Sequence, residues 1–184
     1  MAATGDLNHD IEIPVLGISF YLLLDQDGVV ASSFEPFHAC LADDATLGGP
    51  SEQFLELESQ LRVALRRYES GDFTALTHIP RSKESRSPGF YGIVQAVIDT
   101  IDPGTTISYA QLALLAGNPR AHRAAASACA KNPLALLRPC HRVIKSDHTI
   151  GGFGFDLAIK ARLLDHENAA QGIKNFLRQR EGAA

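Results

Sequence analysis

The stretch ISYAQLALLAGNPRAHRAAASACAK, residues 107–131, constrains the fold more than any other. Ser108 with Gln111 three positions later is the pattern of a capping box, in which the serine oxygen and the glutamine side chain satisfy exposed amides at a helix start. The spacing predicts a helix over Tyr109 to Ala116. Gly117-Asn118-Pro119 breaks it, and residues 120–131 are strong helix formers throughout, so the segment reads as helix, turn, helix. One side of the second helix carries little larger than a methyl or hydroxyl, at Ala124, Ala125, Ser127 and Ala128. Two readings stand side by side. A helix entering a minor groove roughly 6 Å wide needs such a leading face; an alanine-rich helix packed closely on its neighbour has the same composition.

Around this segment the chain has room for one large domain or two small ones. It has 184 residues, 45% of them hydrophobic, enough for a proper core. Residues 1–79 carry 3 Lys or Arg against 13 Asp or Glu, and residues 80–184 carry 14 against 8, so a net of −10 faces a net of +6. The basic half is the candidate for binding a polyanion, because phosphate contacts depend on local charge. The residues LGISFYLLL, 16–24, then Asp25-Gln26-Asp27-Gly28 and VVASSF, predict a β-hairpin. Phe54, Leu57, Leu61 and Leu65 recur at helical steps over residues 51–68, and Gly71 ends that helix. The polar, proline-bearing IPRSKESRSPG, 79–89, reads as a linker. A further helix is expected from Phe90 to Ile101, stopped by Pro103-Gly104. The expected organisation is an N-terminal α+β domain over 1–80, a linker at 81–88, a helix-turn-helix domain over 89–170 and a tail over 171–184.

The opening residues lack the apolar run and basic start of a secretory signal, and no stretch approaches eighteen consecutive apolar residues. A cytoplasmic setting is expected, or a nuclear one in a eukaryote, without membrane attachment. Three widely spaced cysteines, Cys40, Cys129 and Cys140, form no disulfide framework and suit a reducing compartment. His38 and Cys40 are at most half a metal site, with no second pair to complete it, so no metal is expected. Cys40 and Cys129 read as buried small apolar residues.

Cys140 is different, because it lies in LLRPCHRVIK between Pro139 and His141 with Arg138 and Arg142 on either side. Positive surroundings favour the thiolate, which is the reactive form. His141 is a candidate base and needs a carboxylate to orient it. Glu167 closes the run LAIKARLLDHE, an amphipathic helix expected to bury Leu157, Ile159, Leu163 and Leu164 and to bring its end near the core.

Pro139-Cys140-His141-Arg142-Val143 resembles the active-site PCHRV signature of the 6-O-alkylguanine-DNA alkyltransferases, the methylated-DNA–protein-cysteine methyltransferases. The resemblance extends in order and spacing over residues 107–144, through an Asn132-Pro133 hinge. Gly151-Gly152-Phe153-Gly154 and LAIKARLLDHE fall where that family places its glycine-bearing loop and final helix.

The resemblance implies an α+β fold, with a ribonuclease-H-like N-terminal domain and a C-terminal helix-turn-helix domain of winged-helix type. It implies repair of double-stranded DNA by irreversible transfer of the alkyl group of 6-O-alkylguanine, and less well of 4-O-alkylthymine, to Cys140 after base flipping. The protein would be consumed in one turnover and act as a monomer without cofactor or metal. His141, through a water, would take the thiol proton, and Glu167 would hold the imidazole tautomer. Asn132 would order the hinge, Arg123 would fill the place of the extruded base and Tyr109 would help rotate it and donate toward the guanine. Ala124, Ser127 and Arg142 would join Arg123 and Tyr109 at the DNA; Val143, Phe153 and Gly154 would join Tyr109 at the substrate. Binding would weaken as salt rises.

The chain departs from the family pattern in places. Ala126 and Ser127 stand where a glycine pair is usual, Phe153-Gly154-Phe155-Asp156 replaces a loop with serine, tyrosine and small residues, and Gln95 replaces a tryptophan. Two other activities stand beside alkyl transfer: lesion binding without it, from which the presence of Cys140 separates this chain because such relatives replace the cysteine, and hydrolysis through an acyl-enzyme, which would need an oxyanion hole.

Overall fold

The computed structural model describes residues 9–37 and 51–168. The described residues form two compact units, one running to Ser85 and taking in Pro133–Leu137, the other made of Arg86–Asn132 and Arg138 onward. His38 and Cys40 and the tail from 171 lie outside the described residues.

The first unit is built on a three-stranded antiparallel sheet in the order β1 (His9–Val15), β2 (Ile18–Asp25), β3 (Gly28–Ser33). In β1 the buried Ile11, Ile13 and Val15 alternate with exposed Asp10, Glu12 and Pro14, the period-two pattern of a half-buried strand. This strand corrects the hairpin expected from the sequence, in which Leu16 and Gly17 opened a strand. They are instead a two-residue turn with φ of 51° and 69°, the left-handed pair whose twist matches that of the strands it joins. Asp25 Oδ1 accepts from the amides of Asp27 and Gly28 and so closes the next turn. Helix α1 (Glu52–Glu69), capped by Ser51, packs on β1 and buries Leu57, Leu61, Ala64, Leu65 and Tyr68.

The polar stretch after Ile79 is not a free tether in this unit. Val29 donates to the Pro80 carbonyl and accepts from the Ser82 amide, and Ser82 Oγ donates to Asp25 Oδ2 at 2.5 Å. Pro133–Leu137 lies along β3 in the same unit. The Ser32 amide donates to Pro133 O, the Ala135 amide donates to Ser32 O, and Ser32 Oγ donates to Ala135 O. Leu136 has a φ of 65°, a left-handed conformation that costs a non-glycine residue roughly 1 kcal/mol or more.

The second unit holds α2 (Gly89–Ile98), β4 (Ile107–Ser108), α3 (Tyr109–Leu115), α4 (His122–Ala130), a 3-10 turn (Cys140–Arg142), β5 (Val143–Ile144) and α5 (Leu157–His166). Strands β4 and β5 pair in parallel. The capping box is formed at α3, with Ser108 Oγ accepting from the Gln111 amide and Gln111 Oε1 accepting from the Ser108 amide. Gly117, at φ 80°, takes the left-handed position after the helix, and the Asn118 amide returns to Ala113 O. Helix α2 stops three residues before the expected end, as the amides of Thr100 and Ile101 close 3-10 bonds to Val97 and Ile98. Gln95 is buried and satisfied by the backbone and side chain of Ser87. The fold is α+β.

Val94, Ile98, Leu112, Ala113, Ala125, Ala128, Cys140 and Val143 share one core cluster. The small face of α4 is therefore divided. Ala125 and Ala128 pack inward, while Arg123 and Ser127 are exposed and Ala124 is half-buried.

Gly28, at φ 141°, tests the first unit. A Cβ there would stand 2.5 Å from the Pro80 carbonyl oxygen, with backbone on both sides of the clash. Gly28→Ala is expected to lower stability by about 2 kcal/mol, seen as a lower urea midpoint at unchanged slope.

Candidate active site

Glu167 anchors the site from the C-terminal end of α5. Its carboxylate is fully buried and accepts three bonds: Oε1 from His141 Nε2 at 3.0 Å and from Arg142 NH2 at 2.9 Å, and Oε2 from Arg142 Nε at 2.8 Å. Burial pushes the carboxyl up, but the hydrogen bonds from His141 and Arg142 and the positive charge of Arg142 outweigh it and hold it well below the usual carboxylate range. An ionised carboxylate is an acceptor only, so the His141 nitrogen facing it carries the proton. That leaves His141 Nδ1 as the unprotonated nitrogen. It is buried and has no hydrogen-bond partner in the protein. Burial, the largest influence, lowers the imidazole's affinity for a second proton despite Glu167.

Arg142 does not stand at a DNA-facing surface, contrary to the sequence expectation. It is 7% exposed, fixed on Glu167, and its remaining terminal nitrogen donates to Ile101 O at 2.5 Å. A buried carboxylate needs a hydrogen-bonded counter-charge, and Arg142 meets that need.

Cys140 begins the 3-10 turn, buried at 6% exposure. Asn132 Nδ2 donates to its Sγ at 3.1 Å and to Arg138 O at 2.9 Å. Arg138 in turn reaches Asn132 Oδ1 at 3.5 Å and Asp99 Oδ2 at 3.3 Å. One asparagine amide thus ties the residue leaving α4 to the turn that carries the sulfur. Burial raises the thiol above its ordinary range; the Asn132 hydrogen bond and the charges of Lys160 and Arg138 pull down without overcoming it. The flanking arginines therefore do not make a resting thiolate: Arg142 is neutralised on Glu167 and Arg138 is shared with Asp99.

The sulfur opens onto a cavity of about 210 Å³ lined by Tyr109, Ala126, Cys129, Ala130, Cys140, Gly152 and Phe153. The Tyr109 hydroxyl donates to Gly152 O at 3.1 Å, and burial raises its pKa to about 12, so it stays a proton donor. Phe153 meets Phe155 edge to face, with centroids 5.4 Å apart. Asp156 caps α5 by accepting from the Ala158 amide. Of the expected substrate residues, Tyr109 and Phe153 line the cavity. Val143 lies in the core with its carbonyl bound to Lys160, and Gly154 is exposed near the Ala130 carbonyl.

Lys160 and Ala130 escaped the sequence reading, which took Cys129 only as a buried small apolar residue and Ala126 only as a departure from the family pattern. Lys160 is fully buried, donating to Val143 O at 2.6 Å and Gly152 O at 2.9 Å. Burial lowers its pKa to about 8. Leu163 and Leu164 are buried as expected, but Leu157 and Ile159 are only half-buried, and α5 packs Lys160 and Ala161 in their place. The signal was present in the spacing, since 157, 160, 161 and 164 form one helical stripe. No group of three or more metal-ligating side chains occurs among the described residues, and no described helix is long and apolar enough to cross a membrane.

The chain is similar to known proteins. Residues 89–169 match the family model of the 6-O-methylguanine DNA methyltransferase DNA-binding domain. The chain is 35% identical over 151 residues to the bifunctional transcriptional activator and DNA repair enzyme Ada of Escherichia coli, covering 82% of this chain and 40% of that protein. It is 36% identical over 134 residues to the methylated-DNA–protein-cysteine methyltransferase of Homo sapiens, covering 71% and 63%. It thus spans less than two thirds of the length of either relative. A crystal structure of a variant of the Mycobacterium tuberculosis O6-methylguanine methyltransferase superposes with a TM-score of 0.70 at 25% identity, covering 88% of this chain and 93% of that one. Residues 89–169, which carry the Cys140, His141 and Glu167 constellation, thus belong to the 6-O-methylguanine-DNA methyltransferase family as its DNA-binding domain.

Proposed function

We propose that the protein repairs 6-O-alkylguanine in double-stranded DNA by transferring the alkyl group irreversibly to Cys140. The observation that carries this reading is a buried sulfur opening onto a small cavity, directly followed in sequence by a histidine whose far nitrogen is fixed on a buried carboxylate at 3.0 Å.

The steps follow from that arrangement. His141 Nδ1, unprotonated because Glu167 takes the proton on Nε2, receives the Cys140 proton through a bridging water. The imidazolium that forms lies against an ionised carboxylate. The thiolate attacks the alkyl carbon in line, the bond from that carbon to the guanine oxygen breaks, and the electron pair leaves with the base. Tyr109 donates toward the base as charge develops on it. The thioether on Cys140 has no leaving group that water can displace readily, so the protein acts once.

A base must leave the stack for its oxygen substituent to reach a sulfur in a cavity. Unstacking costs a few kcal/mol, less for a poorly paired lesion. Arg123, exposed on α4, occupies the vacated place; Ala124 and Ser127 leave room for the groove. Asn132 holds the turn carrying Cys140 to the end of the same helix. The basic half of the chain supplies phosphate contacts.

Intact-mass analysis after incubation with a duplex containing one 6-O-methylguanine tests the reading. One methyl group per protein molecule, mapped to Cys140 and absent from Cys140→Ser, is expected. Repeated turnover, or loss of the lesion with Cys140 unmodified, would contradict it.

Because Cys140 rests as a thiol and His141 as a neutral imidazole, and the proton passes from one to the other, the reacting pair exchanges no proton with solvent. Single-turnover rates should therefore stay nearly constant from about pH 7 to about pH 8. A climb of about tenfold over that window would mean that the thiolate forms by losing its proton to solvent and not to His141.

A further inference from the structure

Lys160 is a buried ammonium without a carboxylate partner among the described residues; its hydrogen bonds go to two backbone carbonyls. Such a group is costly, because an ammonium loses its hydration on burial and carbonyl dipoles replace only part of it. A hydrophobic residue on this helical stripe would pack without that cost. The other cations around the sulfur are already engaged. Arg138 pairs with Asp99, Arg142 with Glu167, and His141 is neutral. Lys160 Nζ lies 6.0 Å from the Tyr109 ring centroid and 5.9 Å from that of Phe153, two walls of the cavity onto which Cys140 opens.

We propose that Lys160 is a positioning residue for the reacting sulfur: held on Val143 O and Gly152 O, its ammonium stabilises Cys140 as the thiolate while bracing the loop that walls the cavity. The inference rests on the reading that the Cys140 thiolate is the nucleophile. The groups facing that sulfur are Asn132, which donates a hydrogen bond, Arg138 and Lys160, which lower its pKa by charge, and the uncharged Cys129, Tyr109 and His141. Among the full charges, only that of Lys160 is uncompensated by a carboxylate. It is also close enough to both thiols for their ionisation to favour its protonated form.

A purely bracing lysine and an electrostatic one differ in what they do to titration. Lys160→Gln keeps a donor for the carbonyls and removes the charge; Lys160→Arg keeps the charge and changes the shape. The reaction of Cys140 with iodoacetamide, located by mass, is followed against pH in both folded variants and the parent. Lys160→Gln should move the midpoint upward and slow the reaction at neutral pH about tenfold, a loss equal to one unit of pKa. Lys160→Arg should leave the midpoint near that of the parent. An unmoved midpoint in Lys160→Gln, or equal displacement in both variants, overturns the electrostatic role. Methyl transfer by the parent is scored separately. If the parent accepts the methyl group while the midpoint stays put, the Lys160 inference alone falls.

Discussion

The site depends on one buried negative charge. Glu167 is cut off from water, and a lone carboxylate there would protonate. Arg142 prevents this with two donors in the planar fork suited to a carboxylate. With its charge secured, the carboxylate fixes which nitrogen of His141 holds the proton, and therefore which nitrogen can act as base. The arginine that looked like a DNA contact in the sequence is what makes the histidine usable. A helix end and a short turn in this unit serve the same end: the α5 terminus places Glu167, and the 3-10 turn presents Cys140, His141 and Arg142 in succession.

Cys140 and His141, neighbours in sequence, are tuned in complementary ways. Both are buried and both resist charge, so the resting state is thiol and neutral imidazole. Transfer of a proton between them creates two charges, each already provided for: the imidazolium against Glu167, and the thiolate near the Asn132 amide and the Lys160 ammonium. An unreactive resting sulfur suits the proposed single transfer, in which its reactivity is called on when a lesion fills the cavity. The Asn132 bonds to Sγ and to Arg138 O give the sulfur a fixed position relative to α4, the helix proposed to meet the DNA.

Much of the second unit was legible because its signals are local. The capping box, the Gly117 turn and the alanine-rich helix each act within a few residues, and the structure places them as read. Cys140, His141 and Glu167 were read from the residues themselves and Asn132 from a resemblance, and the structure supplies the geometry relating them. What the sequence hid are matters of direction and pairing. Arg142 lies between His141 and Val143, and nothing local says that it turns inward to a glutamate 25 residues away. Lys160 looked like the polar side of an amphipathic helix, although its spacing from Leu157 and Leu164 put it on the buried stripe. In the first unit, the acidic residues of β1 masked a strand whose apolar positions alternate cleanly, and Pro133–Leu137 joins β3 through backbone bonds that carry no side-chain signature.

Glu167 holds His141 as the neutral tautomer protonated on Nε2, leaving Nδ1 to act as base. Nitrogen-15 spectra of histidine-labelled protein measure this directly at neutral pH. The expected result is a pyrrole-type, proton-bearing Nε2 and a pyridine-type, bare Nδ1 for His141. A proton on Nδ1, whether in the other tautomer or in a resting imidazolium, would contradict it.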